Sequence, residues 1–125
     1  MSSDKMSQWM GIEVINFDAG KVSVRMTVRD EMVNGFGVTH GGITYCLADS
    51  ALAFSSNSHG MRAMSIETSI SHFKSVQTGD VLTANTEELS LTRKTGVYQM
   101  NVLNQKNELV AHFKGTVYRS DKVWE

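Results

Sequence analysis

The chain has 125 residues and a single cysteine, Cys46, which excludes an internal disulfide framework and a cysteine-rich zinc cluster. Twelve Lys and Arg stand against 13 Asp and Glu for a formal charge of -1, so neither a nucleic acid nor an anionic membrane is an expected partner. The length suits one domain over 1–125, at roughly 100–200 residues per domain, and no proline occurs anywhere.

In chain order, Ser3 or Asp4 is placed to cap a short helix whose Met6, Trp9 and Met10 share a face, with Gly11 as its stop. The same segment lacks the apolar run of a signal peptide, and the most apolar stretch, Ile43 to Phe54, falls short of the ~20 residues of a membrane span. The expectation is a cytoplasmic protein. Ile12 to Phe17 reads as a strand, Asp18-Ala19-Gly20 as a turn and Lys21 to Val28 as the return strand. In that return Val22, Val24, Met26 and Val28 alternate with Lys21, Ser23, Arg25 and Thr27, one dry face and one wet face.

At Asn34 the chain changes character. NGFGVTHGG places four glycines in nine residues, which suits a loop. Ile43 to Asn57 is rich in Ala, Leu, Ser and Phe and reads as a helix of about four turns, apolar almost all round and therefore buried. Ser58-His59-Gly60 ends it. Met61–Phe73, Val81–Leu91, Val97–Asn104 and Glu108–Arg119 then read as four strands of a meander. The fold class is α+β: a long central helix wrapped by a curved antiparallel sheet, with a short N-terminal helix.

Within the long helix Asp49 is the residue that does not fit. Leu47, Ala48, Ala51 and Leu52 flank it, and a buried carboxylate is costly unless it has a partner or a task. Gly41 and Gly42 lie at the helix start, where amides without intrahelical partners and the positive end of the helix dipole favour an anion or a polarised carbonyl oxygen. Together these are two halves of an acyl-transfer site: donors for an oxyanion, and a carboxylate to attack the carbonyl or activate water. Cys46 lies on the apolar helix without a histidine beside it and reads as a core thiol. His59, His72 and His112 show no metal-ligand spacing and read as structural or exposed, so no metal site is expected.

Asn34, then His40-Gly41-Gly42, then Asp49, within HGGITYCLADSALAFSSNSHG, resembles the hotdog-fold acyl-CoA thioesterases. The LADSA wording and the later KTGVYQMNVLNQKNELVAHFKG are most similar to the phenylacetate-degradation branch of that family. The resemblance runs from about Trp9 to Tyr118 and implies the hotdog fold and a thioester hydrolase with no cofactor beyond the CoA of its substrate. It implies Asp49 as nucleophile or general base, and the Gly41 amide as polariser of the thioester carbonyl. Asn34 would stand near the carbonyl or the lytic water, and Ser65 would position water. His40 would orient the substrate or tie the loop to the helix. It also implies aryl-acetyl-CoA substrates and self-association, as a homodimer or a homotetramer built as a dimer of dimers.

From Gly42 to Asp49 is seven residues, about 10 Å at 1.5 Å per residue. Reacting groups must lie within roughly 3–3.5 Å of one another, so one helix cannot present both ends to one thioester, whereas two antiparallel copies can. Candidate substrate contacts are Gly42 at the carbonyl, Phe36, Tyr45, Phe54 and Met64 around the acyl group, and Lys74, Arg93 and Lys94 for CoA phosphates, with Phe54 read rather as core. Two rivals stand beside this reading. A hydratase of 3-hydroxyacyl thioesters needs a His-Phe-Pro-type signature that a chain without proline cannot carry. A non-catalytic acyl-CoA-binding module would give Asp49 no task.

Overall fold

In the computed structural model, which describes residues 5–35 and 39–123, the chain folds as one long helix laid against a six-stranded antiparallel sheet. Ser3, Asp4 and Phe36 lie outside the described residues. The elements are α1 (Lys5–Met10), β1 (Glu13–Asn16), β2 (Ser23–Thr27), a 3-10 turn (Asp30–Met32), α2 (Gly41–Asn57), β3 (Met61–His72), β4 (Val81–Leu91), β5 (Thr95–Leu103) and β6 (Leu109–Val123). The hotdog architecture expected from the sequence is present.

Several details differ from expectation. Gly41 and Gly42 form the first turn of α2 instead of preceding it. The 3-10 turn has no counterpart in the sequence reading, β2 is shorter than Lys21–Val28, and β6 runs past Arg119 to Val123. The last four strands are not a simple meander either. Strand order is β1-β2-β4-β5-β6-β3, so β3 pairs with β6 and stands at a free edge. The other side of β4 is taken by β2, where Val24 faces Ala84 and Met26 faces Leu82, all buried.

The alternating apolar residues of β2, β4, β5 and β6 close on Leu47, Ala48, Ala51 and Leu52 of α2, and this is the core. Helix and sheet approach closely at Gly115, where an added Cβ would lie 2.6 Å from Cδ2 of Leu52. At the N-terminal end only Met10 of the expected apolar face is buried. Met6 and Trp9 are exposed, Trp9 beneath the Arg29 guanidinium at 4.7 Å. Gly11 stops α1 at a φ of 69°, as its position suggests.

Strand β3 carries the irregularity that matters for the site. Its register slips between Ser65 and Glu67, which face Val117 and Thr116, so Ile66 is an extra, bulged residue. Strict alternation groups Ser65 with Glu67, Ser69 and Ser71. The bulge reverses that parity and sets Ser65 opposite buried Val117, on the helix side.

Candidate active site

At the start of α2 a short loop is drawn back on itself. Val33 bridges Thr39, the His40 N–H donates to Met32 O at 2.9 Å, and the Thr39 N–H donates to Val76 O at 2.6 Å. Asn34 sits half-buried beside this bridge. His40 stands at the N-cap position, yet its side chain makes no capping bond and is exposed. The His40 backbone ties the loop to the start of the helix. Gly41 and Gly42 are exposed, with the first amides of the helix outside the intrahelical ladder. Gly41, Thr39, Thr44, His72 and Lys74 line one cavity of about 350 Å3.

Asp49 lies elsewhere. It is half-buried, not enclosed in the core, because α2 is not covered all round. Gly42, Cys46, Asp49 and Ala53, spaced by four, three and four residues, form a flank that stays partly or fully open. Asp49 shares a cavity of about 130 Å3 with Ser65, Met64 and Leu52. The Cys46 thiol is pushed above its ordinary range by burial and then by the Asp49 charge, which keeps it protonated and unreactive. Gly41 and Asp49 thus face different cavities of the same chain, as the helical rise demands.

A family model of the thioesterase superfamily matches residues 36–111. The chain belongs to the thioesterase superfamily. Among relatives, the Escherichia coli acyl-coenzyme A thioesterase PaaI is 36% identical over 117 residues, 94% of this chain and 84% of that protein. An Archaeoglobus fulgidus relative with only a general esterase name is 42% identical over 117 residues, 94% of this chain and 76% of its own. The solved structure of Escherichia coli PaaI, from the phenylacetic acid degradation operon, matches with a TM-score of 0.95 at 34% identity, over 98% of this chain and 88% of that one. A Streptococcus mutans protein crystallised with acetyl-CoA matches with a TM-score of 0.87 at 30% identity, over 90% of this chain and 91% of that one. Thioester hydrolysis is the chemistry of this thioesterase.

The remaining candidates of the thioesterase divide between the two ends of α2. Lys74 belongs to the Gly41 end, ion-paired to Glu108, whose carboxyl it holds below the usual range with help from Asn104. Arg93 and Lys94 are exposed in the β4–β5 turn at the opposite end, where Arg119 donates to Thr92 O and Lys94 O. Arg62 and Lys122 flank a further cavity with Met64 and Tyr118 at that end. Sequence reasoning missed both, since only the β3–β6 pairing joins them. Tyr45 lines neither of the two cavities: its hydroxyl is 2.6 Å from Thr68 Oγ1 and its ring meets Phe113 edge-on at 5.4 Å. Phe54 is core. Met64 is 67% exposed at the free sheet edge. Among the described residues no helix is long and apolar enough to cross a membrane.

Proposed function

We propose that this thioesterase hydrolyses aryl-acetyl-CoA thioesters, phenylacetyl-CoA or its ring-hydroxylated forms, in a cytoplasmic active site closed between two copies of the chain. The observation that carries the reading is the separation of Gly41 and Asp49 into different cavities of one protomer. A carbonyl polarised at Gly41 is beyond the reach of the same chain's Asp49, about 12 Å along the helix.

Two further features support a second copy as the missing half. Strand β3 is a free edge of 12 residues with Met64 and Ile66 exposed, an arrangement that soluble proteins cover. The open flank of α2 runs alongside that edge, since Asp49 and Ala53 share a cavity with Ala63, Met64 and Ser65 of β3. Antiparallel pairing of two β3 edges would set the two α2 helices side by side in opposite directions, with Gly41 of one copy toward Asp49 of the other. The exposed Val14, Ile15 and Phe17 of β1, at the other edge of the sheet, suit a second contact joining dimers into a tetramer. The aryl-acetyl preference rests on the likeness to PaaI of the phenylacetic acid degradation operon.

In this site the Gly41 amide and the helix dipole hold the carbonyl oxygen as it becomes an oxyanion. Asp49 either adds to the carbonyl carbon itself or takes a proton from the water that does. Asn34 and Ser65 hold the carbonyl side and the water side. Collapse of the tetrahedral intermediate re-forms C=O, breaks the C–S bond and releases the CoA thiolate, which takes up the proton. With a water nucleophile this yields the free acid. An acyl–Asp49 anhydride reaches the same products after hydrolysis. Arg93 and Lys94, with Arg62 and Lys122, face the CoA phosphates at the Asp49 end, and Lys74 approaches from the other copy.

Hybrids test the reading. Asp49→Ala and Gly41→Val chains should each fail to release thiol from phenylacetyl-CoA, and their heterodimers should recover a share of the parental rate through one intact site. Verified heterodimers without recovery would remove the shared site. Faster turnover of long-chain than of phenylacetyl substrates would remove the aryl preference alone.

A further inference from the structure

The geometry points to His72 as a second donor to the thioester carbonyl oxygen, beside the Gly41 amide. This deepens the proposed function and rests on it. His72 closes β3, two residues beyond Ile70 and four beyond Thr68, and shares their helix-facing parity opposite buried Ala111. That placement brings the imidazole against the first turn of α2. A Cβ built on Gly41 would sit 3.4 Å from Nε2 and 3.5 Å from Cε1 of His72. The edge of the ring that carries a hydrogen-bonding nitrogen therefore flanks the glycine whose amide is outside the helical ladder.

Three further observations say that this corner awaits a ligand. Thr39 lines the same cavity, is 9% exposed, and keeps a buried hydroxyl without a hydrogen-bond partner. The cavity is open and large enough, at about 350 Å3, for a thioester and the first atoms of its carrier arm. Among the described residues the His72 ring makes no hydrogen bond or ion pair, whereas the rings of His59 and His112 are engaged by Glu88 and Asn101. An imidazole N–H beside a helix N-terminus polarises a carbonyl without adding a charge, a role known from other enzymes. Here Nε2–H would donate to the oxygen that Gly41 N–H also holds, and the bond would shorten as that oxygen gains charge. No proton is transferred and His72 leaves the reaction unchanged.

The test is steady-state thiol release by the full chain with phenylacetyl-CoA, comparing His72→Phe and His72→Gln with the parent. Loss of one oxyanion donor typically costs about 10²-fold in kcat. His72→Phe is expected to lose about that with KM within about threefold. His72→Gln, which keeps an N–H donor, is expected to regain about tenfold of it. His72→Phe with parental kcat overturns the assignment. So does equal loss in both variants with a lowered unfolding midpoint, which marks a structural residue. Asp49→Asn measured alongside separates the two levels. An active Asp49→Asn overturns the shared site itself, whereas an inactive one beside an active His72→Phe overturns only the role of His72.

Discussion

The two ends of α2 both hold histidines and hydroxyls, His59 at one and His40 and His72 at the other, and they use them differently. At the C-terminal end four of these groups are engaged, although Thr86 Oγ1 and Arg119 Nε on the neighbouring strands are buried without a partner among the described residues. Ser55 Oγ accepts the Val22 N–H at 3.1 Å, and Ser58 Oγ accepts the Gly20 N–H at 2.7 Å. His59 Nε2 and the Tyr98 hydroxyl converge on one oxygen of Glu88, at 2.5 and 2.9 Å. At the N-terminal end the Thr39 hydroxyl is buried without a partner, and neither His40 caps the helix nor the His72 ring finds a partner among the described residues. Buried polar groups are costly unless satisfied, so the bonds among Ser55, Ser58, His59, Tyr98 and Glu88 serve stability, while Thr39 and His72 leave donors and acceptors for a ligand at the other end.

Substitutions on either side should therefore move different observables. Asp49→Asn is expected to reduce kcat by about 10²-fold or more while shifting the unfolding free energy by no more than about 0.5 kcal/mol. Thiol release and urea unfolding at one fixed protomer concentration measure the two together. Glu88→Ala is the counterpart at the paired end. It removes the acceptor of the fully buried Tyr98 hydroxyl and the partner of His59. An orphaned buried donor costs about 1–3 kcal/mol, and with the lost His59 contact a fall of about 2–3 kcal/mol is expected, at unchanged kcat. A Glu88→Ala chain that keeps its stability but loses turnover would abolish the distinction between the ends.

Gly115 lies between them and probes how tightly the ends are coupled. A methyl group there would press on Cδ2 of Leu52 at 2.6 Å and on Cε1 of Phe113 at 3.3 Å, both side chains buried. Overpacking of this kind costs about 1–3 kcal/mol. Because Leu52 also lines the Asp49 cavity, Gly115→Ala is expected to lower kcat as well, by about two- to tenfold. Loss of stability with unaltered turnover would show that the carboxylate is placed independently of helix–sheet spacing.

What the sequence made legible was local. Strand β4 begins at Val81 and ends at Leu91 and α2 ends at Asn57, both where the sequence places them. The long-range pairing was not legible, because the apolar faces of β3 and β2 are equally compatible with β4 and only the closed core decides between them. The bulge at Ile66 was hidden for a related reason: an isoleucine on either face preserves an alternating pattern, so the slip that turns Ser65 toward Asp49 leaves no trace in composition. Asp49 looked enclosed because the open flank of α2 is lined by Gly42, Cys46 and Ala53, small residues that read as apolar whether or not anything covers them. The glycines and the carboxylate were found because their chemistry is local to one helix. His72 was passed over because its place depends on the end of a strand reaching the start of that helix.

The smallest effect expected is also the one most specific to the paired end. Burial first, then the hydrogen bond to Glu88 and the Glu88 charge, raise the Tyr98 phenol above its ordinary value of 10.0. A phenol whose pKa is raised by folding contributes stability that is complete below the unfolded value and is lost as pH rises toward the folded one. Above pH 10 the unfolded chain releases this proton while the folded chain keeps it, so Tyr98 alone makes stability fall by up to about 1.4 kcal/mol per pH unit. Tyr98→Phe removes that contribution while leaving the lysines and the other tyrosines, Tyr45 and Tyr118, in place. The gap in unfolding free energy between parent and variant should narrow by about 1 kcal/mol between pH 9 and pH 11. Parallel profiles over that range would mean that Glu88 and the core do not hold the phenol neutral, and the paired end would lose its most enclosed member.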